Sequence, residues 1–310
     1  MSRKPQHLAA SVRRRLPDLA RRRGEDFQLV LTHYAIERLL YRLSRSPYQG
    51  DFVLKGAMLF ALWTDQPHRP TRDVDLLGKG DPSPDRLVRV FQAVCGSAVE
   101  DDGLMFDTES IRAERIKEDA EYEGIRVHCD VRLGQARIDL QIDVGFGDAI
   151  VPAAVEVEYP TLLTLSAPRL LAYPKETVVA EKFQALTVLG LANSRMKDFF
   201  DLWVLAHEFP FEGVTLAGAI HATFLRRRTE LPKGPSLALT SEFGTDALKI
   251  RQWQAFVGKG KLNADRASLE QVCWFLAGFL MPPVNALVAG RQFEYVWPPA
   301  GPWRQSSPQR

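Results

Sequence analysis

Asp73, Asp75 and Asp143 are the residues of this chain best suited to do chemistry, because each stands in a segment where apolar and polar side chains alternate. A strand sends successive side chains to opposite faces, so in RDVDLL the carboxylates of Asp73 and Asp75 share one face while Val74 and Leu76 turn to a core. In ARIDLQIDVGFGD the same alternation separates Ile138, Leu140, Ile142 and Val144 from Asp139, Gln141 and Asp143. If the two strands are neighbours, Asp143 lies beside the other two and three carboxylates face one point. Like charges so placed repel, and a hard divalent cation such as Mg²⁺, with Mn²⁺ as a second candidate, relieves the repulsion. Asp139, further back on the same face, is expected to be a supporting or solvated residue.

Two more stretches could serve such a site. In FVLKGAMLFALW an apolar run breaks at Lys55-Gly56, which predicts a strand over 52–54 passing into a helix over 57–63. Free backbone N–H groups at such a junction favour a phosphate, making Lys55, Gly56 and Ala57 candidate triphosphate contacts. Arg69 and Arg72, in the loop TDQPHRPTR before the acidic strand, could reach the same phosphates or act as plain ion-pair partners of the acids. Downstream, Lys182 lies among apolar neighbours in KETVVAEKFQALTVLGLA, where it could reach an anion or simply decorate a helix. Asp198 and Asp201 follow in MKDFFDLWVLAHEF, three apart and therefore on one helix face.

The elements that must position these residues read as follows. FQLVLTHYAIERLLYRLSRS over 27–46 has helical spacing of Leu, Ile and Tyr and predicts an amphipathic helix covering a sheet. PSPDRLVRVFQAVCG predicts a helix capped near Ser83 or Asp85, and segments 109–117, 123–132 and 135–144 predict strands, the first two joined by an acidic turn over 118–122. Beyond Pro174 the chain turns helical, with helices over the Lys182 stretch, the Asp198 stretch, 214–230 and 266–290, the last interrupted at Pro282 and Pro283. The expected fold class is therefore α+β. A basic N-terminal arm over 1–26 would precede a domain of mixed sheet with flanking helices over 27–160, then a helical C-terminal lobe over 161–296 and a flexible Pro-rich tail over 297–310.

Composition narrows the class. With 310 residues, 45% hydrophobic and 25% charged, the chain has the balance of a globular protein and length for two lobes. The net charge of +2 decides nothing, but its distribution does: Arg3, Lys4, Arg13, Arg14, Arg15, Arg21, Arg22 and Arg23 stand against Asp18 alone in the first 24 residues. That run, like Arg226, Arg227 and Arg228, suits nucleic-acid phosphates and serves equally as a solvated face. No apolar stretch is expected to span a bilayer and the basic arm lacks the apolar region of a secretory signal, so the expected location is the cytoplasm. Cys95, Cys129 and Cys273 are odd in number and far apart, and read as reduced packing residues.

The succession FVLKGAMLFALW, RPTRDVDLL, IDLQIDVGFGD, YPKETVVAEKFQAL and NSRMKDFFDLWVL resembles the AbiEii/AbiGii-type nucleotidyltransferase toxins in order and spacing, over about residues 27–230. The resemblance implies a nucleotidyltransferase palm followed by a helical lobe. It implies that Asp73 and Asp75 bind Mg²⁺ with the triphosphate, and that Lys182 and one of Asp198 or Asp201 complete the site. It further implies an NTP substrate, an RNA acceptor such as the 3′ end of tRNA, a block of translation, and a cognate antitoxin in a toxin–antitoxin or phage-defence pair. The chain departs from the family at the strand–helix turn, where Gly56-Ala57 replaces the usual Gly-Gly or Gly-Ser and offers no hydroxyl. Two other outcomes stay open on the residues alone: phosphoryl transfer to a protein hydroxyl, and a nucleotide-binding module without turnover.

Overall fold

In the computed structural model the chain is described over residues 5–64, 69–119, 122–260 and 267–306. It forms two compact units, one made of residues 1–147 and 155–172, the other of residues 148–154 and 173–310. Arg3, Lys4, part of the TDQPHRPTR loop, part of the acidic turn and the last four residues lie outside the described residues.

The first unit opens with helices α1 (Pro5–Arg23) and α2 (Phe27–Ser44), then strand β1 (Phe52–Lys55). Asp26 caps α2 by accepting from the Leu29 N–H, and its Leu and Ile stripe is buried as the periodicity requires. After β1 come a 3-10 turn over Gly56–Leu59 and a single-turn helix α3 (Phe60–Trp63), in place of the continuous helix expected over 57–63. Strand β2 (Asp73–Gly78), helix α4 (Pro84–Cys95) and strands β3 (Leu104–Phe106), β4 (Arg112–Asp119), β5 (Tyr122–Leu133), β6 (Ala136–Phe146), β7 (Val155–Glu158) and β8 (Arg169–Ala172) follow. They form one mixed sheet in the order β3-β5-β6-β2-β1-β8-β7, with β4 also pairing β5. This is the α+β architecture the patterns predict, with β3, β7 and β8 in addition.

A buried ion network ties α2 to this unit's loops. Arg38 and Arg42 both bind Asp102, Arg38 also donates to the Ser166 carbonyl, and Glu37 accepts from the Leu162 N–H at 2.7 Å. Helix α1 is docked too: Val12, Leu16 and Ala20 are buried while Arg13, Arg14, Arg15, Arg21, Arg22 and Arg23 stay exposed. The basic run is thus one face of an amphipathic helix.

The second unit is mainly helical. It contains α5 (Lys175–Leu189), α6 (Met196–Glu208), a short strand β9 (Phe211–Glu212), α7 (Gly213–Arg226), α8 (Ser241–Thr245), α9 (Ala247–Gly260), α10 (Leu269–Val288) and strands β10 (Tyr295–Trp297) and β11 (Arg304–Gln305), which pair as β11-β10-β9. Helix α10 runs through Pro282 and Pro283 without the expected interruption. Pro283 has no N–H for the carbonyl one turn back, that of Phe279, and the Trp303 indole N–H donates to it instead at 2.9 Å. The same contact explains why residues 297–305 are packed where a frayed end was expected: Trp297 is buried and donates to the Ala206 carbonyl, and Trp303 stacks on Phe279. By length and composition α10, a 20-residue helix containing an 18-residue window of mean hydropathy 1.4, is apolar enough to cross a membrane, contrary to the expectation that no stretch is. Half of that window is buried within the protein, which is the usual state of a core helix.

Candidate active site

The acidic cluster is a product of strand register. β2 and β6 run parallel with Asp75 opposite Asp143 and Asp73 opposite Gln141, so all three carboxylates lie on one face of the sheet. One oxygen from each of Asp73, Asp75 and Asp143 lies within 4.8 Å of the others. Beneath them Val74, Leu76, Ile142 and Val144 are fully buried and fix the face. The donor set is all carboxylate oxygen, which suits Mg²⁺ or Mn²⁺ and not a soft metal. Asp139 points to solvent beside His128, at 3.3 Å, outside the cluster as expected.

The residues that hold the acids were not all visible in the sequence. Arg126, on β5 directly across from Asp143, donates Nε to Oδ1 and Nη2 to Oδ2, both at 2.8 Å. Those hydrogen bonds, above every other influence, raise the guanidinium pKa further. The Gln141 amide also donates toward both Asp143 oxygens, at 3.4 and 3.2 Å. Asp73 is fixed from the other side, where the Thr71 hydroxyl donates to Oδ1 at 2.7 Å and the His33 Nε2–H donates to the Thr71 carbonyl at 2.8 Å. Burial pushes the His33 pKa down, which keeps the ring neutral and suited to that single donation. Arg126 was legible in one way only: a hairpin closed at Gly134 and Gln135 counts back from Leu133 opposite Ala136 to Arg126 opposite Asp143.

The Lys55-Gly56 turn is built around Asp75. Lys55 is buried and sits opposite Asp75 in the β1–β2 register, and Gly56 follows with φ +76. A Cβ on Gly56 would stand 1.9 Å from Asp75 Oδ2, so only glycine lets the turn pass the carboxylate. Because a 3-10 turn follows, the aligned helix dipole expected at this junction is short; the glycine's firmest role is steric. Ala57 is buried and Arg72 is exposed immediately before β2.

In the second unit Lys182 on α5 meets both aspartates of α6. Its Nζ lies 2.7 Å from Asp198 Oδ1 and 2.7 Å from Asp201 Oδ2, with both acids fully buried. Burial alone would push the Asp198 carboxyl up, but Lys182 and Arg195 outweigh it and hold its pKa below the ordinary carboxylate value. Both aspartates of α6 thus bind the lysine. Arg227 corrects one expectation: it is not part of a surface cluster with Arg226 and Arg228 but pairs with Asp148 at 3.0 Å and Glu181 at 3.5 Å and donates to Gln184.

A family model for the nucleotidyl transferase AbiEii toxin of type IV toxin–antitoxin systems matches residues 38–277. No curated protein matches the chain. Among solved structures, JHP933 from Helicobacter pylori is similar at 15% identity over 84% of this chain and 93% of that one, with a TM-score of 0.45. A second H. pylori chain, provisionally described as a nucleotidyltransferase, is similar at 16% identity over 84% of this chain and 96% of its own, again with a TM-score of 0.45.

Proposed function

The chain belongs to the AbiEii family of nucleotidyl transferase toxins and is a nucleotidyltransferase with a cognate antitoxin; from that premise we propose that it transfers a nucleotide from an NTP to an RNA hydroxyl, the 3′ end of tRNA, and so blocks translation in the cytoplasm. The single observation that carries the metal-dependent part of this reading is the convergence of Asp73, Asp75 and Asp143 to within 4.8 Å.

In this reading Asp73, Asp75 and Asp143 hold Mg²⁺, which when bound would stabilise charge on the attacking and leaving oxygens. The acceptor hydroxyl loses its proton to solvent as its oxygen attacks the α-phosphate, a P–O bond to the acceptor forms, and pyrophosphate leaves with the electron pair of the α–β P–O bond that breaks. Gly56 admits the turn against Asp75, and the backbone of Lys55, Gly56 and Ala57 is assigned to the phosphates, with Arg72 as a second phosphate contact. Thr71 and Gln141 orient the acids by the hydrogen bonds described above. Lys182 is assigned to the β- or γ-phosphate, and Asp198 and Asp201 orient its ammonium. Positioning and charge complementarity of this kind carry most of the catalysis of phosphoryl and nucleotidyl transfer.

Incubation with each α-labelled NTP and total cellular RNA tests the reading. Label on an RNA band supports it. Transfer of γ-label to protein, with none from the α-position, contradicts it.

A further inference from the structure

Arg126 binds one member of the acidic cluster, Asp143, through both of its oxygens. We propose that Arg126 is a positioning residue that competes with divalent metal for Asp143, keeping the nucleotide-free site weak in metal. The inference rests on the metal reading above and concerns a residue outside the expected site.

The fork of Arg126 covers Asp143 edge-on, with both contacts at 2.8 Å, and such bidentate pairs are among the strongest charge-assisted hydrogen bonds. Asp143 is largely buried while the Arg126 side chain is 32% exposed, so water screens the pair only from the arginine side, and Gln141 donates to the same two oxygens. Each carboxylate oxygen has two acceptor positions, so Asp143 keeps capacity for a metal, but its negative charge is already compensated. A metal arriving there must share Asp143 with a resident cation. Arg126 also has somewhere to turn: Glu114 on β4 stands directly opposite it, on the side away from β6, and both Glu114 and Asp73 act on its charge.

The test is a Mn²⁺ titration without nucleotide, following free Mn²⁺ by its paramagnetic resonance signal, with folded fractions matched by thermal unfolding. Arg126→Gln should bind Mn²⁺ at least about tenfold more tightly than wild type, a difference of about 1.4 kcal/mol. Arg126→Lys, which keeps charge without the fork, should fall between them. Asp143→Asn in the Arg126→Gln background should remove the gain. Equal or weaker binding by Arg126→Gln, or a gain that survives Asp143→Asn, overturns the inference; should the glutamine variant not fold, Arg126→Lys binding no more tightly than wild type does so. Asp75→Asn separates the two readings: Mn²⁺ binding lost there but unchanged by Arg126 substitution overturns this inference alone, whereas no binding by any variant overturns the metal reading with it.

Discussion

Gly56 and Asp75 are packed so closely that a Cβ on the glycine would lie 1.9 Å from the carboxylate oxygen Oδ2. Gly56 also has φ +76, where a side chain is strained. Gly56→Ala should therefore cost about 1–3 kcal/mol of stability. It should also displace Asp75 and lower turnover by about a hundredfold at matched folded fraction, the scale of an ångström's misplacement at a reacting centre. Urea unfolding together with a turnover assay checks both; a variant with wild-type turnover would show that Asp75 does not need its observed position.

Lys182 bridges two buried carboxylates, so its removal takes the shared ammonium from Asp201 and leaves Asp198 to Arg195. Lys182→Ala should destabilise the protein by about 3–5 kcal/mol, the cost of breaking a buried pair from one side. A surface lysine would cost no more than about 0.5 kcal/mol, and a measured loss that small would return Lys182 to a decorative role. The sign for pH follows from Asp198, whose folded pKa lies below its ordinary value. Its contribution is present at neutral pH and lost as pH falls through the folded pKa, so acid should weaken wild type more than a Lys182→Met/Asp198→Asn/Asp201→Asn triple variant.

Glu37 behaves oppositely. Burial raises its pKa from 4.5 to about 7 against the Leu162 N–H and Arg38, which both lower it. Between those values the folded state binds more protons than the unfolded one, so this contribution is full below about 4.5 and is lost as pH rises to about 7. Between pH 5 and pH 8 wild type should lose on the order of 2–3 kcal/mol relative to Glu37→Gln. Parallel urea midpoints for the two proteins across that range would contradict it.

Trp303 closes a gap that Pro283 opens in α10. Trp303→Phe keeps the ring stacked on Phe279 but leaves that carbonyl without the indole donor, and should cost about 1–3 kcal/mol. A change within about 0.5 kcal/mol, the range of an inert surface position, would mean water replaces the indole.

Much of this site was legible because its logic is local. The alternation in RDVDLL and ARIDLQIDVGFGD put the three aspartates on one face, and the β2–β6 register brought them together as that pattern required. Arg126 could have been reached by counting back along the β5–β6 hairpin, but Arg72, beside Asp73 in sequence, stood out instead. Partners chosen by long-range pairing were not legible. Arg227 looked like its neighbours Arg226 and Arg228 until Asp148, far off in sequence, was found against it. Pro282 and Pro283 suggested a break because the rescuing donor, Trp303, lies in a stretch whose Pro content read as a loose tail.

The measurement closest to the central claim is transfer of α-label from each NTP to cellular RNA by wild type and by Asp75→Ala, with and without Mg²⁺, at matched folded fraction. The account predicts labelled RNA for wild type with Mg²⁺, none after chelation, and a loss of at least about a hundredfold in Asp75→Ala, on the order of 2.7 kcal/mol or more. Wild-type labelling by Asp75→Ala, or label reaching RNA equally without divalent metal, would contradict it.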